Sequence, residues 1–119
     1  MVGKYKVITL CGSTRFKDEF LKVQKQLTLG GNIVISVGFF ELADGEFKNV
    51  ITPEIKVMLD DMHKRKIDMS DEIYVINKNG YIGESTKGEI EYAIKTGKGV
   101  DYLECHNDSS VSQYFYYAN

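Results

Sequence analysis

Val7-Ile8-Thr9-Leu10-Cys11-Gly12-Ser13-Thr14 is the stretch that decides the fold. A short apolar run between a basic lead-in (Lys4, Lys6) and a glycine reads as a strand buried on both faces of a parallel sheet. Ser13 or Thr14 can then cap a helix. That helix carries Phe16, Phe20, Val23 and Leu27 at offsets 0, 4, 7 and 11, a one-face stripe, and Gly30-Gly31 ends it. Residues 32–37, Asn-Ile-Val-Ile-Ser-Val, give a second strand, so the unit is a right-handed crossover between parallel strands.

The same alternation continues. Residues 38–50 form a loop in which Phe39, Phe40, Leu42 and Phe47 are expected to make a lid, a pocket wall or a subunit contact, or to fold back on the core. Thr52-Pro53-Glu54 starts a helix with a hydroxyl cap, a proline and an acid in its first turn. It is expected to run to about Met69, with Ile55, Met58 or Leu59, Met62, Ile67 and Met69 inward. Residues 72–76 are a third strand. A helix over about residues 87–96 buries Ile90, Ala93 and Ile94 and stops at Gly97, and residues 100–103 are a fourth strand. The expected fold is a single α/β domain over residues 1–119. It is a three-layer, doubly wound, flavodoxin-like or Rossmann-like parallel sheet of about four strands in the order 2-1-3-4.

Composition narrows the function. The chain has 119 residues, 43% apolar and 27% charged, with a formal net charge of −2, which implies no general attraction to a nucleic-acid polymer or a membrane. The cluster His63-Lys64-Arg65-Lys66 is flanked by Asp60, Asp61 and Asp68 and reads as a solvated helix face. Cys11 and Cys105 form no C-x-x-C pair, and His63 and His106 lie far apart, so the spacing predicts neither a metal site nor a resident cofactor. No apolar stretch approaches the roughly 20 residues that span a bilayer, and the amino terminus lacks a signal-peptide pattern. A cytoplasmic location is the expectation. The aromatic tail (Tyr114, Phe115, Tyr116, Tyr117) is expected to pack on the body or on another subunit.

The chemistry is expected at the switch point between the first and third strands, where two strand-to-helix loops meet. Gly12-Ser13-Thr14-Arg15 lacks the dinucleotide and P-loop spacings, yet backbone N–H groups, two hydroxyls and a guanidinium suit a phosphate or, failing a ligand, a plain cap. In the second loop, Tyr81, Gly83, Glu84 and Ser85 are candidate ligand contacts. Thr86-x-x-Glu89 fits a capping box, so Glu89 is either a cap or a catalytic carboxylate in a first helical turn. His63 can act as an acid or base if it reaches the site. Cys11 is expected to be a small core residue, since no base is visible beside it in the sequence.

Three segments together resemble the nucleoside 2-deoxyribosyltransferase superfamily, which includes deoxynucleoside 5′-monophosphate N-hydrolases: residues 11–15, residues 68–75 and residues 83–93, the last containing Gly88-Glu89-Ile90-Glu91-Tyr92-Ala93. The resemblance spans roughly residues 5–103. It implies cleavage of an N-glycosidic bond by a nucleophilic glutamate at Glu89, with a nucleoside or nucleotide as the small-molecule partner and a homodimer or higher homo-oligomer as the assembly. Relatives usually place an aspartate eight residues before the position of Asp71; this chain has His63 there. The acid role therefore falls to His63, to Asp60 or Asp61, or to no side chain. A non-catalytic nucleotide-binding module of the same fold is the other reading.

Overall fold

The computed structural model describes residues 3–40 and 51–105. In chain order it contains β1 (Val7–Gly12), α1 (Lys17–Leu29), β2 (Ile33–Ile35), α2 (Pro53–Asp68), β3 (Glu72–Ile76), α3 (Glu84–Lys95) and β4 (Gly99–Tyr102). Single 3-10 turns at Thr14–Phe16 and Lys78–Gly80 follow β1 and β3. The four strands form one all-parallel sheet in the order β2-β1-β3-β4, flanked by helices, as in flavodoxin-like folds. Leu42, Phe47 and the tail aromatics lie outside the described residues. Among the described residues, no helix is long and apolar enough to cross a membrane.

Strand alternation splits the core into two layers. Leu10 and Ile76 pack with Phe20 and Val23 on the α1 side, joined by Val34, Tyr74 and Phe40. Cys11, Ile73, Val75, Val100 and Tyr102 pack with Ile67, Ile90 and Ala93 on the side of α2 and α3. The α1 stripe is as the spacing predicts: Phe20 is fully buried, and Phe40 meets it edge-on at 5.4 Å. Burying a phenylalanine contributes about 1.5–3 kcal/mol, which makes Phe20 the anchor of that layer.

Three boundaries or faces differ from expectation. β2 is shorter, because the Asn32 side chain donates to Leu27 O at 2.9 Å, in the turn after α1, while Ser36 O accepts from Lys66 Nζ at 2.9 Å and leaves the ladder. In α2 the inward stripe is Leu59, His63 and Ile67, with Met58, Met62 and Met69 exposed. A histidine fills an apolar slot there, so a stripe read from hydrophobicity alone is phased one residue off. Ile94 of α3 is likewise exposed.

The carboxyl end of α2 is fixed to β1 by buried hydroxyls. Ser70 Oγ donates to Lys66 O at 2.8 Å, Thr9 Oγ1 donates to the same carbonyl at 3.2 Å, and the two hydroxyls touch each other. Asp71 Oδ2 accepts from Val7 N at 2.8 Å, which ties the start of β3 to the start of β1. These contacts set the height of α2 over the sheet, and with it the position of His63.

Candidate active site

β1 and β3 end side by side, with Gly12 in register with Ile76, and both strand-to-helix loops leave from that point. Gly12 has φ +154, and a Cβ there would lie 2.8 Å from Ile76 O and 3.0 Å from Ile76 Cβ. Only glycine lets the first loop turn this close to β3. Gly12→Ala is therefore expected to cost roughly 1–3 kcal/mol in chemical denaturation and to shift the floor of the cleft.

In the first loop Ser13 Oγ accepts from Arg15 N at 3.3 Å and from Arg15 Nε at 3.2 Å. The Arg15 guanidinium lies 4.3 Å above the Tyr81 ring and donates to the Tyr81 hydroxyl at 3.4 Å. Arg15 and Tyr81 thus clasp the two loops together, with Phe16 edge-on to Tyr81 at 6.0 Å. Arg15 is exposed and lines neither lobe of the cleft described below.

The second loop starts its helix earlier than expected. α3 begins at Glu84 with Gly83 as its cap residue, so Ser85 and Thr86 stand in its first turn and Glu89 in its second. Glu84 supplies the acid of that first turn, where the helix dipole favours it. This overturns the capping-box reading: Thr86 is inside the helix and buried, and no backbone cap engages Glu89. Glu89 instead turns inward beneath the sheet end.

There it meets two side chains from other elements. Its Oε1 is 3.9 Å from His63 Nε2, which lies 3.5 Å from Cys11 Sγ and 3.1 Å from Leu10 O. The Cys11 thiol also neighbours the Glu89 carboxyl, the donor atoms of the three side chains all lying within 4.8 Å of one another. Burial governs all three groups. It pushes the Glu89 carboxyl from the ordinary 4.5 up to about 7, against the opposing Cys11 hydrogen bond. It pulls His63 from 6.5 down to about 4, helped by the Lys66 charge, and drives the Cys11 thiol well up, with the Glu89 charge adding to it. Between about pH 4 and pH 7 both His63 and Glu89 are neutral, so their contact is not an ion pair. The imidazole Nε2–H is directed at the Leu10 carbonyl.

Cys11 is thus a buried thiol beside a neutral imidazole, not a thiolate poised as a nucleophile. Cys105 is exposed. A thiol reagent such as Ellman's is expected to modify one cysteine within minutes in the folded protein and both in denaturant. Rapid reaction of both thiols in buffer would contradict this packing.

The cleft above these groups has two lobes that share Gly12, Thr14, Leu59 and Asp60. The inner lobe, about 340 Å³, is walled by Val37, Phe39 and Leu59, with His63, Lys66 and Glu89 joining Thr14 and Asp60 among its polar groups. The outer lobe, also about 340 Å³, is lined by Ser13, Lys56, Tyr81 and the start of α3 through Gly83, Glu84, Ser85 and Thr86. Lys56 reaches across it, donating to Ser85 Oγ at 3.1 Å and pairing with Asp60 at 2.8 Å.

The fold therefore brings Glu89, His63, Gly12, Thr14, Ser13, Tyr81, Gly83, Glu84 and Ser85 around one cleft. Asp61 is not among them: it is exposed and lies 3.8 Å from Arg65, on the outer face of α2. Asp60 is the aspartate that faces the cleft, and it pairs with Lys56. Phe39 is a wall of the inner lobe, one of the roles open to the aromatic loop. Sequence reasoning missed Lys56, which the α2 register could have shown at one turn from Asp60. It also missed Cys11 as a neighbour of Glu89, for which the sequence carries no signal. No protein-family model matches the chain, and no curated protein is significantly similar to it.

Proposed function

We propose that this chain cleaves the N-glycosidic bond of a nucleoside or nucleotide, with Glu89 as the nucleophile. The observation that carries the reading is the position of Glu89. It is a nearly buried carboxyl with no capping duty, on the wall of an apolar lobe sized for a nucleobase, and that lobe adjoins a polar lobe suited to a phosphate. The sequence resemblance at residues 83–93 assigns the same residue the same work.

In the reaction a Glu89 carboxylate oxygen bonds to the anomeric carbon as the carbon–nitrogen bond breaks. The electron pair leaves with the base, which takes a proton from solvent, and the nucleophile that later displaces Glu89 gives one back. Water or a second base then displaces Glu89 from the sugar. Phe39, Val37 and Leu59 exclude water around the base, while Ser13, Ser85, Lys56 and the free N–H groups at the start of α3 face a 5′-phosphate. The Cys11 thiol borders the carboxylate. His63 is a positioning residue in this reading, because its ring is neutral and its Nε2–H is directed at Leu10 O.

A panel of nucleosides and nucleotides, followed by chromatography for free base, tests the proposal. Base release from at least one of them is expected, with 5′-phosphorylated substrates preferred. Lys56→Ala is expected to raise KM for such a substrate about tenfold, the worth of one charged hydrogen bond, with little change in kcat. The second reading, a nucleotide-binding module without turnover, is favoured by the neutrality of His63, which removes one of the candidate acids. It predicts thermal stabilisation by nucleotide with the ligand recovered intact.

A further inference from the structure

Cys11, His63 and Glu89 come from β1, α2 and α3, and their donor atoms all lie within 4.8 Å of one another. A thiol, an imidazole and a carboxyl are the donor set of zinc and cobalt rather than of magnesium or calcium. Bonds of about 2.0–2.3 Å at tetrahedral angles put neighbouring donors about 3.3–3.6 Å apart. Cys11 Sγ and His63 Nε2 stand at 3.5 Å, and His63 Nε2 and Glu89 Oε1 at 3.9 Å, so the carboxyl must close on the imidazole by about half an ångström.

Three acceptors (Leu10 O, Cys11 Sγ and Glu89 Oε1) surround one ring nitrogen that has at most one proton to offer. We propose that these three side chains form a binding site for a thiophilic divalent cation, with its fourth position open to the inner lobe of the cleft. Charge and protons balance. The thiol and the carboxyl each release a proton, the imidazole proton moves from Nε2 to Nδ1 and frees Nε2 to ligate, and the cation with one thiolate and one carboxylate is neutral overall. The other charged side chains in that wall, Asp60 and Lys66, are already engaged, with Lys56 and with Ser36 O.

Cobalt(II) titration of the reduced protein tests the site without any activity measurement. Wild type is expected to bind one equivalent and to develop a near-ultraviolet thiolate-to-cobalt absorption that excess magnesium does not displace. The absorption should survive Cys105→Ser and vanish in Cys11→Ser. Glu89→Gln should weaken binding by more than the roughly 10–100-fold that loss of an outer-shell partner costs. Should Cys11→Ser fail to fold, Glu89→Gln and Cys105→Ser carry the test. Absence of the band in wild type, its loss in Cys105→Ser, or unchanged affinity in Glu89→Gln would overturn the proposal. A bound cation engages the carboxylate that attacks the sugar, so zinc is expected to inhibit base release; this last expectation rests on the function proposed above. A cobalt band with base release untouched by zinc would sink the nucleophile reading and leave the metal site standing.

Discussion

Replacing Glu89 by glutamine is expected to cut base release by at least about a thousandfold. The change is nearly isosteric, so the inner lobe, whose wall Glu89 forms in part, keeps its shape. What is lost is a negatively charged oxygen able to bond to the anomeric carbon. Because that bond forms only on the way to the transition state, kcat should fall and KM should move little. The wild-type rate should also rise with pH through about 7, where burial has placed the Glu89 carboxyl, and level off above it. Initial rates of free-base release across a pH series check both expectations. A Glu89→Gln enzyme with ordinary kcat would remove the residue from the chemistry.

The second large effect is on stability, and its sign depends on pH. Glu89 is raised from 4.5 in the unfolded chain to about 7 in the folded one. It therefore destabilises the fold progressively as pH rises from 4.5 to 7, and its full cost holds above that. His63 is lowered from 6.5 to about 4, so it destabilises the fold progressively as pH falls from 6.5 to 4. At about 1.4 kcal/mol for each pH unit, either span is worth about 3 kcal/mol. In the wild type the two slopes oppose each other and nearly cancel between pH 4.5 and 6.5. Single substitutions unmask them. Glu89→Gln should leave a protein that is about 3 kcal/mol more stable than wild type at pH 8 and has lost that advantage by pH 4. His63→Gln should give the reverse, with its advantage at pH 4 and none at pH 8. Urea denaturation at several pH values measures both, and the surface carboxylates common to all three proteins drop out of the differences. Parallel pH curves for wild type and both variants would show that neither group is held neutral by burial.

How much of this was legible in the sequence follows from what each signal is made of. Strand positions and order were legible because β1, β3 and β4 are short apolar runs between glycines and helices, and the alternation of elements leaves few topologies. The α1 stripe was legible because four large apolar residues mark it. The α2 stripe was not, because His63 occupies an apolar slot while Met58, Met62 and Met69 are exposed. The start of α3 was misread for a related reason: Thr86 and Glu89 have capping-box spacing, but Gly83 already serves as the cap residue. Spacing cannot rank two competing caps.

The site was legible in part. That two loops would converge at the β1/β3 switch followed from the sheet order, and the cleft lies there. The cluster of Cys11, His63 and Glu89 did not follow, since it depends on the height of α2 over β1, which the Thr9, Ser70 and Lys66 contacts set. The same height explains why Asp60 rather than Asp61 enters the cleft. One residue along a helix turns a side chain by about 100°, enough to move it from the wall to the solvent.

In the proposed reaction Glu89 bonds to the sugar. Rapid acid quench of the enzyme with a turned-over nucleotide, followed by mass analysis of its peptides, tests it most directly. The account predicts a peptide containing Glu89 that is heavier by one sugar or sugar-phosphate unit, absent in Glu89→Gln. Base released at full rate with no adduct, or an adduct on another residue, would contradict it.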